Sequence, residues 1–306
     1  MKTTGVLLGL ILFLPAFALA GNSSYRYPLV DAYAATILGT PQNLRPDNRG
    51  EVPIRTMTLE TEPNRPEIFF YDRGLHYTVA FQNHKAPLVF LIAGTGGSSK
   101  SAKNLTLLMN LYHAGFHVVA LPSPTFPNFI IDASTTHVPG HLSEDAADLY
   151  RVMERIWDQS KAHIEVSEFS LAGYSLGGTE AAFVARLDEE RKTFDFRRVL
   201  LLNPAVSLYS SVSRIEGLLD HIPGGSRRIG AFYNRVMAKG TDFYRKGDFV
   251  AIDDDFLFAA YNAQILNRDE AGGMIAVSFR ISLSGMIFAS DVMTHGGYVV
   301  PKDRKL

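Results

Sequence analysis

The feature that most constrains this chain is a set of short apolar runs spaced along its middle. Leu88-Val89-Phe90-Leu91-Ile92-Ala93, Val118-Val119-Ala120-Leu121, Phe169-Ser170-Leu171-Ala172 and Val199-Leu200-Leu201-Leu202 lack the apolar–polar alternation of a half-exposed strand. Runs of this length suit strands buried on both faces, as in a parallel sheet. Helical segments lie between them. Ala102 to Ala114 places Leu105, Leu108, Met109 and Tyr112 at i, i+3, i+4 and i+7. Ser143 to Ser160 sets Leu149, Val152, Met153 and Ile156 at the same spacing, with Glu144 and Asp145 in its first turn. Gly178 to Lys192 is the third. Strands alternating with helices predict an α/β fold, a mostly parallel sheet with helices on both faces.

The flanks read differently. Residues 1–20 have the form of a secretory signal: Lys2, an apolar core from Val6 to Phe17, and Ala18-Leu19-Ala20 as a cleavage site before Gly21. The expectation is an exported, periplasmic or extracellular protein with no stable membrane span after cleavage; a retained N-terminal anchor is the alternative. Gly21 to Arg49 is rich in Pro, Asn and Tyr and reads as an irregular arm. Two strand-type runs follow, at Glu67–Tyr71 and Leu75–Gln82. After Ala205 the alternation stops. Residues 207–306 carry short amphipathic pieces, Gly-rich turns, the apolar run Met274–Phe279 and a helical stretch over Ser282–Thr294. They are expected to form a helical cap or insertion on a single domain spanning residues 21–306.

Composition narrows the chemistry. The 306 residues hold 30 basic and 31 acidic side chains, which gives no electrostatic case for nucleic acid or an anionic membrane. There is no cysteine, so disulfides, thiolate nucleophiles and cysteine-ligated metal centres are excluded.

One motif carries a reaction. Gly173-Tyr174-Ser175-Leu176-Gly177 fits G-x-S-x-G, follows an apolar strand and opens a helix, the strand–turn–helix setting of a nucleophile elbow. Ser175 would stand on a strained turn with its Oγ clear of the sheet, while Gly173 and Gly177 let strand and helix approach. The Leu176 N–H, at the helix N-terminus, is one expected oxyanion donor. Upstream, the strand Leu88–Ala93 ends in Gly94-Thr95-Gly96-Gly97, where the N–H of Thr95 or Gly96 is the second.

On these two motifs the chain resembles the serine hydrolases of the α/β-hydrolase superfamily, of the esterase and lipase type, over roughly Glu67 to Ala205. The resemblance implies an acyl-enzyme on Ser175, a small-molecule or lipid-like ester or thioester substrate, and no cofactor or metal. It also implies an acid and then a histidine after the serine in chain order. Only His221 and His295 follow Ser175. His221 comes early, within the expected cap. His295, with Asp291 four residues before it, is the candidate base. Asp253-Asp254-Asp255 offers an acid or a solvated turn, and His137 and His141 lie in the long loop after Val118–Leu121. That loop, Pro122–Gly140, carries Phe126, Phe129, Ile130 and Ile131 either as an acyl pocket or as packing beneath the cap.

Two other readings stay open. One is a truncated or degenerate hydrolase fold that binds a ligand or partner without turnover, since no acid–base pair is evident. The other is a P-loop-like NTPase or kinase: Gly94 to Ser101 nearly fits G-x-x-x-x-G-K-[ST], with Lys100 and Ser101 in place but Ser99 where glycine is required.

Overall fold

A computed structural model describes residues 27, 29–41, 44, 50–61, 65–247 and 249–302. The expected signal at residues 1–20 lies outside the described residues. The chain begins with α1 (Ala32–Leu38), capped by Asp31, which accepts hydrogen bonds from the N–H groups of Tyr33 and Ala34. The sheet follows as β1 (Arg55–Leu59), β2 (Leu75–Ala80), β3 (Ala86–Ile92), β4 (His117–Leu121), β5 (Val166–Tyr174) and β6 (Arg198–Leu202). Its spatial order is β1-β2-β4-β3-β5-β6. β1–β2 and β2–β4 pair antiparallel, while β4, β3, β5 and β6 run parallel. The fold is therefore α/β with a mixed, mostly parallel sheet.

Helices cover both faces. α2 (Ala102–His113) follows β3 and buries Leu108 against Val89, Leu91, Val118, Ala120 and Ala172. On the other face, α4 (Leu142–Ser160) and α5 (Leu176–Arg191) pack Leu149, Met153, Ile156, Ala181 and Val184 onto Leu88, Phe90, Ile92, Val119 and Leu171. The residues of β3 divide between these two clusters, as expected for successive side chains on opposite faces.

Two expectations are corrected. Glu67–Tyr71 is not a strand: Glu67–Phe69 forms one turn of 3-10 helix after Pro66, where Phe69 is buried against the C-terminal helix. Arg55–Leu59, whose Arg55 and two threonines leave no long apolar run, forms a strand at one edge of the sheet. Val199–Leu202 does form β6, but it is not buried on both faces. It is an edge strand, with Val199, Leu200 and Leu201 each exposed by 39–47%.

Beyond β6 the described chain is helical: α6 (Leu208–Gly217), α7 (Ile229–Lys246), α8 (Asp254–Asn262) and α9 (Arg268–Thr294). Together with α3 (Pro127–Asp132), these helices complete the set. α9 starts at a capping box, in which Asn267 and Glu270 exchange side-chain-to-backbone hydrogen bonds. Its 27 residues include an 18-residue stretch of mean hydropathy 1.5, so by length and composition it is a helix able to cross a membrane. Here it lies on the domain, with Ala289 and Val292 against Phe69, Ile130 and Ile131.

The crossover from α5 into β6 is fixed by one buried carboxylate. Asp188 accepts hydrogen bonds from the Tyr150 hydroxyl (2.5 Å) and the N–H groups of Phe194 (3.1 Å) and Phe196 (3.0 Å). Burial, then this bond to Asp188, pushes the Tyr150 phenol up to about 12. Asp188→Ala strands all three donors in the interior and is expected to cost about 3 kcal/mol. Urea unfolding with an unchanged slope and a lower midpoint checks it; an unchanged midpoint would show the crossover is held by Phe194 packing alone.

Candidate active site

β5 delivers Tyr174 to the sheet edge and the chain reverses at Ser175 into α5. Ser175 has φ 54° and ψ −125°, a conformation that a side-chain-bearing residue adopts only at a cost of roughly 1–3 kcal/mol. The turn is held from both sides. The Ser175 N–H donates to Leu202 O (2.9 Å), and the Ser175 carbonyl accepts from Gly178 N–H (3.0 Å) and Thr179 N–H (3.3 Å). Ser175 is exposed, while Leu176 and Gly177 behind it are buried.

The two motif glycines are required by backbone contact. A Cβ on Gly173 would lie 2.0 Å from Gly177 O, and a Cβ on Gly177 would lie 2.4 Å from both Ile92 O and Ala93 O. β5, α5 and the end of β3 thus meet backbone to backbone, a closeness that no side chain permits.

The glycine-rich loop after β3 lies beside the serine. A Cβ on Gly94 would stand 3.1 Å from Ser175 Cβ. The loop is pinned by the segment after β4: Ser123 N–H donates to Gly97 O (2.9 Å), and Gly96 N–H donates to Thr125 Oγ1 (2.8 Å). That last bond separates the two candidate donors. The Gly96 N–H is already spent, whereas the Thr95 N–H makes no hydrogen bond with a described residue. The Leu176 N–H, at the first position of α5, likewise has no acceptor among the described residues, as helix geometry requires. Above the loop, α9 passes close enough that a Cβ on Gly96 would be 3.0 Å from Ser282 O.

The loop does not have the shape of a phosphate cradle. Ser99 is buried and accepts a hydrogen bond from Thr78 Oγ1 (3.0 Å), Lys100 is exposed, and Ser101 Oγ lies 3.3 Å from the Tyr174 hydroxyl. Those side chains do not converge on one point.

No histidine makes a hydrogen bond to Ser175 among the described residues. His295 caps α9 with φ 52° and is exposed. It lies thirteen residues beyond Ser282, which is about 20 Å along the helix axis from the turn that touches Gly96. Asp291 does not orient it. Its carboxylate accepts N–H groups of Tyr298 (2.8 Å), Val299 (2.9 Å) and Val300 (2.9 Å), and these bonds, led by Val300, hold its pKa below the usual range. Asp291 is therefore a structural staple for the segment after α9. His221 is exposed in a 3-10 turn. His137 Nδ1 lies 2.6 Å from Ile130 O, and His141 is an exposed residue beside Glu144. Asp253 caps α8 by accepting the Phe256 N–H (3.2 Å); the Asp254 side chain lies outside what the structure describes. Among the described residues, no side chain makes a hydrogen bond to Ser175 Oγ.

Of the apolar loop residues, Phe129, Ile130 and Ile131 sit in α3 and are buried, so they pack rather than line an opening. A cavity of about 830 Å³ does exist, but beside β1 and β2, lined by Val52, Tyr77, Phe81, Tyr112 and His163, and it includes none of the elbow residues.

One residue behind the elbow gave no sequence signal. Glu180, in the second turn of α5, is 0% exposed, and neither carboxyl oxygen has a hydrogen-bond partner. Burial, with the charge of nearby Asp145 adding to it, pushes Glu180 up to about 9. Asp145, in the first turn of α4, is pushed by burial up to about 6 while accepting Gly140 N–H (2.7 Å). An alternation of small and apolar residues around Glu180 does not reveal which helix position turns inward.

No known family profile matches the chain, and no curated protein matches it by sequence. Among solved structures it is similar to Est1E from Butyrivibrio proteoclasticus, at 16% identity over 53% of this chain and 56% of that one, with a TM-score of 0.35. A hyperthermophilic esterase from the archaeon Pyrobaculum calidifontis matches at 20% identity over 56% and 51%, with a TM-score of 0.37. Brefeldin A esterase, a bacterial homologue of human hormone-sensitive lipase, matches at 17% identity over 61% and 50%, with a TM-score of 0.39. The chain spans about half the length of these structures.

Glu180 makes stability fall with rising pH. Above its ordinary value of 4.5 the unfolded chain releases a proton that the folded chain keeps up to about 9, so stability declines across that window. The limiting slope is about 1.4 kcal/mol per pH unit. Glu180→Gln keeps the shape and removes the proton, so the variant should melt with wild type near pH 5 and above it at pH 8. Parallel melting profiles for the two proteins would show that Glu180 is not held neutral.

Proposed function

We propose that the protein is a serine hydrolase that cleaves an ester or thioester of a small or lipid-like acyl compound through an acyl-enzyme on Ser175. The observation that carries this reading is the strained, exposed Ser175 set against the Gly94–Gly97 loop. A positive φ at a serine is maintained only where the surroundings enforce it, and its effect here is to push Oγ out from the sheet edge. In the proposed reaction Oγ attacks the carbonyl carbon, and the Leu176 and Thr95 N–H groups bind the oxygen as it gains charge. The Oγ proton passes through a general base to the leaving alkoxide or thiolate, and water then releases the acid. No step requires a cofactor or metal. The N-terminal pattern of residues 1–20 supports action outside the cytoplasm.

A second reading is favoured by a specific observation: no described imidazole is placed at Ser175 Oγ, and His295 stands far along α9. On that reading the elbow is retained in a fold that binds an acyl compound without turning it over.

A fluorophosphonate probe and a short-chain ester separate the two. For the hydrolase, wild-type protein is labelled at Ser175, and turnover shows an ascending limb centred near the histidine range of 6–7. Ser175→Ala then loses labelling and at least about 10³-fold of turnover. Folded wild-type protein that is neither labelled nor active establishes the binding reading instead. Labelling that persists in Ser175→Ala sinks the nucleophile assignment under either.

A further inference from the structure

With Ser175 read as the nucleophile, on which this rests, we infer that Thr125 is a positioning residue of the reaction. Its hydroxyl takes the Gly96 N–H and thereby fixes the Thr95 N–H as the one that the glycine-rich loop offers to the oxyanion. The loop is weakly determined by its own sequence. Three of the four residues Gly94-Thr95-Gly96-Gly97 are glycine, a residue as much at ease at positive φ as at negative. Gly96 has φ 65°. The peptide planes on either side of Thr95 carry the Thr95 and Gly96 N–H groups, and a turn of either plane changes which N–H points toward the site. A donor that must reorient as charge develops contributes little, so the orientation has to be set in advance.

The segment after β4 sets it. β3 and β4 pair in parallel with Ile92 beside Leu121, so the two loops leave the sheet edge side by side. The second loop begins Pro122-Ser123-Pro124-Thr125, in which each proline fixes its own φ and carries no N–H, leaving a stiff support. Ser123 and Thr125 are 0% and 5% exposed. Ser123 N–H donates to Gly97 O (2.9 Å) and Gly96 N–H donates to Thr125 Oγ1 (2.8 Å), so two successive loop residues are tied to one short segment. The Thr125 hydroxyl is held in turn. Ser123 Oγ lies 2.7 Å from it and accepts the Thr125 N–H (3.2 Å). α9 leaves no slack at the same place, since its Ser282 carbonyl is 3.0 Å from where a Cβ on Gly96 would stand.

A hydroxyl at this position does what an apolar side chain of the same shape does not. Without an acceptor at residue 125 the Gly96 N–H loses its partner, and a donor left unpaired away from water is unfavourable. The glycine-rich loop relieves that by turning the Gly96 peptide, which displaces the Thr95 N–H from its place near the Leu176 N–H. The effect falls on the transition state, because the substrate oxygen gains its charge only there, and binding of the uncharged ester is untouched. A residue that only supports the fold has no reason to divide kcat from KM in this way.

Thr125→Val keeps the shape and removes the acceptor, whereas Thr125→Ser keeps the acceptor. Two rates separate them: hydrolysis of a short-chain ester, and labelling of Ser175 by a fluorophosphonate, which builds negative charge on the phosphonyl oxygen whether or not an ester is turned over. Thr125→Val is expected to slow labelling and lower kcat by about 10- to 100-fold, with KM within about threefold of wild type. Thr125→Ser is expected to restore both rates to within about threefold. Rates taken per labelled serine keep partial unfolding from imitating the effect. If Thr125→Val does not fold, Ser123→Ala removes only the hydroxyl that holds Thr125 Oγ1 and is expected to slow labelling by about 3- to 10-fold. Wild-type rates in the variant, a loss carried by KM with kcat unchanged, or a Thr125→Ser as slow as Thr125→Val overturns the proposal while the nucleophile stands. Wild-type protein that is not labelled at Ser175 overturns both.

Discussion

The contact on which the rest depends is backbone against backbone at the turn between β5 and α5. Gly173 touches the Gly177 carbonyl region, and Gly177 touches the carbonyls of Ile92 and Ala93. These approaches draw α5 down onto the sheet and bring the loop after β3 beside Ser175. Because the helix starts so close to the strand end, the chain has no room for a relaxed connection and Ser175 takes up a positive φ. Exposure of the serine, a Leu176 N–H with no acceptor among the described residues and the nearness of Gly94 all follow from that one geometric demand.

The sequence made this half of the molecule legible because glycine spacing and apolar runs are local signals. β3, β4, β5 and β6 fall on the four apolar runs, and α2, α4 and α5 on the three helical patterns, within a few residues. What escaped was set by tertiary position. Glu67–Phe69 has the composition of a strand, but Pro66 fixes its entry and Phe69 gains more by packing under α9 than by pairing. The choice between Thr95 and Gly96 depended on Thr125, a residue about thirty positions away that takes up one of the two N–H groups. Asp291 and His295 have helical spacing, yet Asp291 turns to the three N–H groups that follow the helix, and spacing alone does not say which neighbour a carboxylate will choose.

Glu180 and Asp188 show how one helix carries two carboxylates with opposite outcomes. Both are buried on α5. Asp188 meets a hydroxyl and two N–H groups and anchors the crossover into β6. Glu180 meets no donor, so the interior disfavours its charge and holds it protonated well above the ordinary range. The difference lies in donors supplied by other elements, not in the residues themselves. Glu180 costs stability in a helix that also carries the elbow, a local conflict of the kind that marks functional regions more often than packing regions.

β6 carries the same lesson at the level of the whole sheet. An unbroken Val-Leu-Leu-Leu run is the sequence of a strand with neighbours on every side, and in the other three runs the prediction of burial holds because β5, β3 and β4 have those neighbours. Among the described residues the run at β6 has one flanking strand, and although α5 packs on it Val199, Leu200 and Leu201 stay 39–47% exposed. Folding alone would favour polar substitutions there, since they cost nothing in the core and remove an aggregation edge.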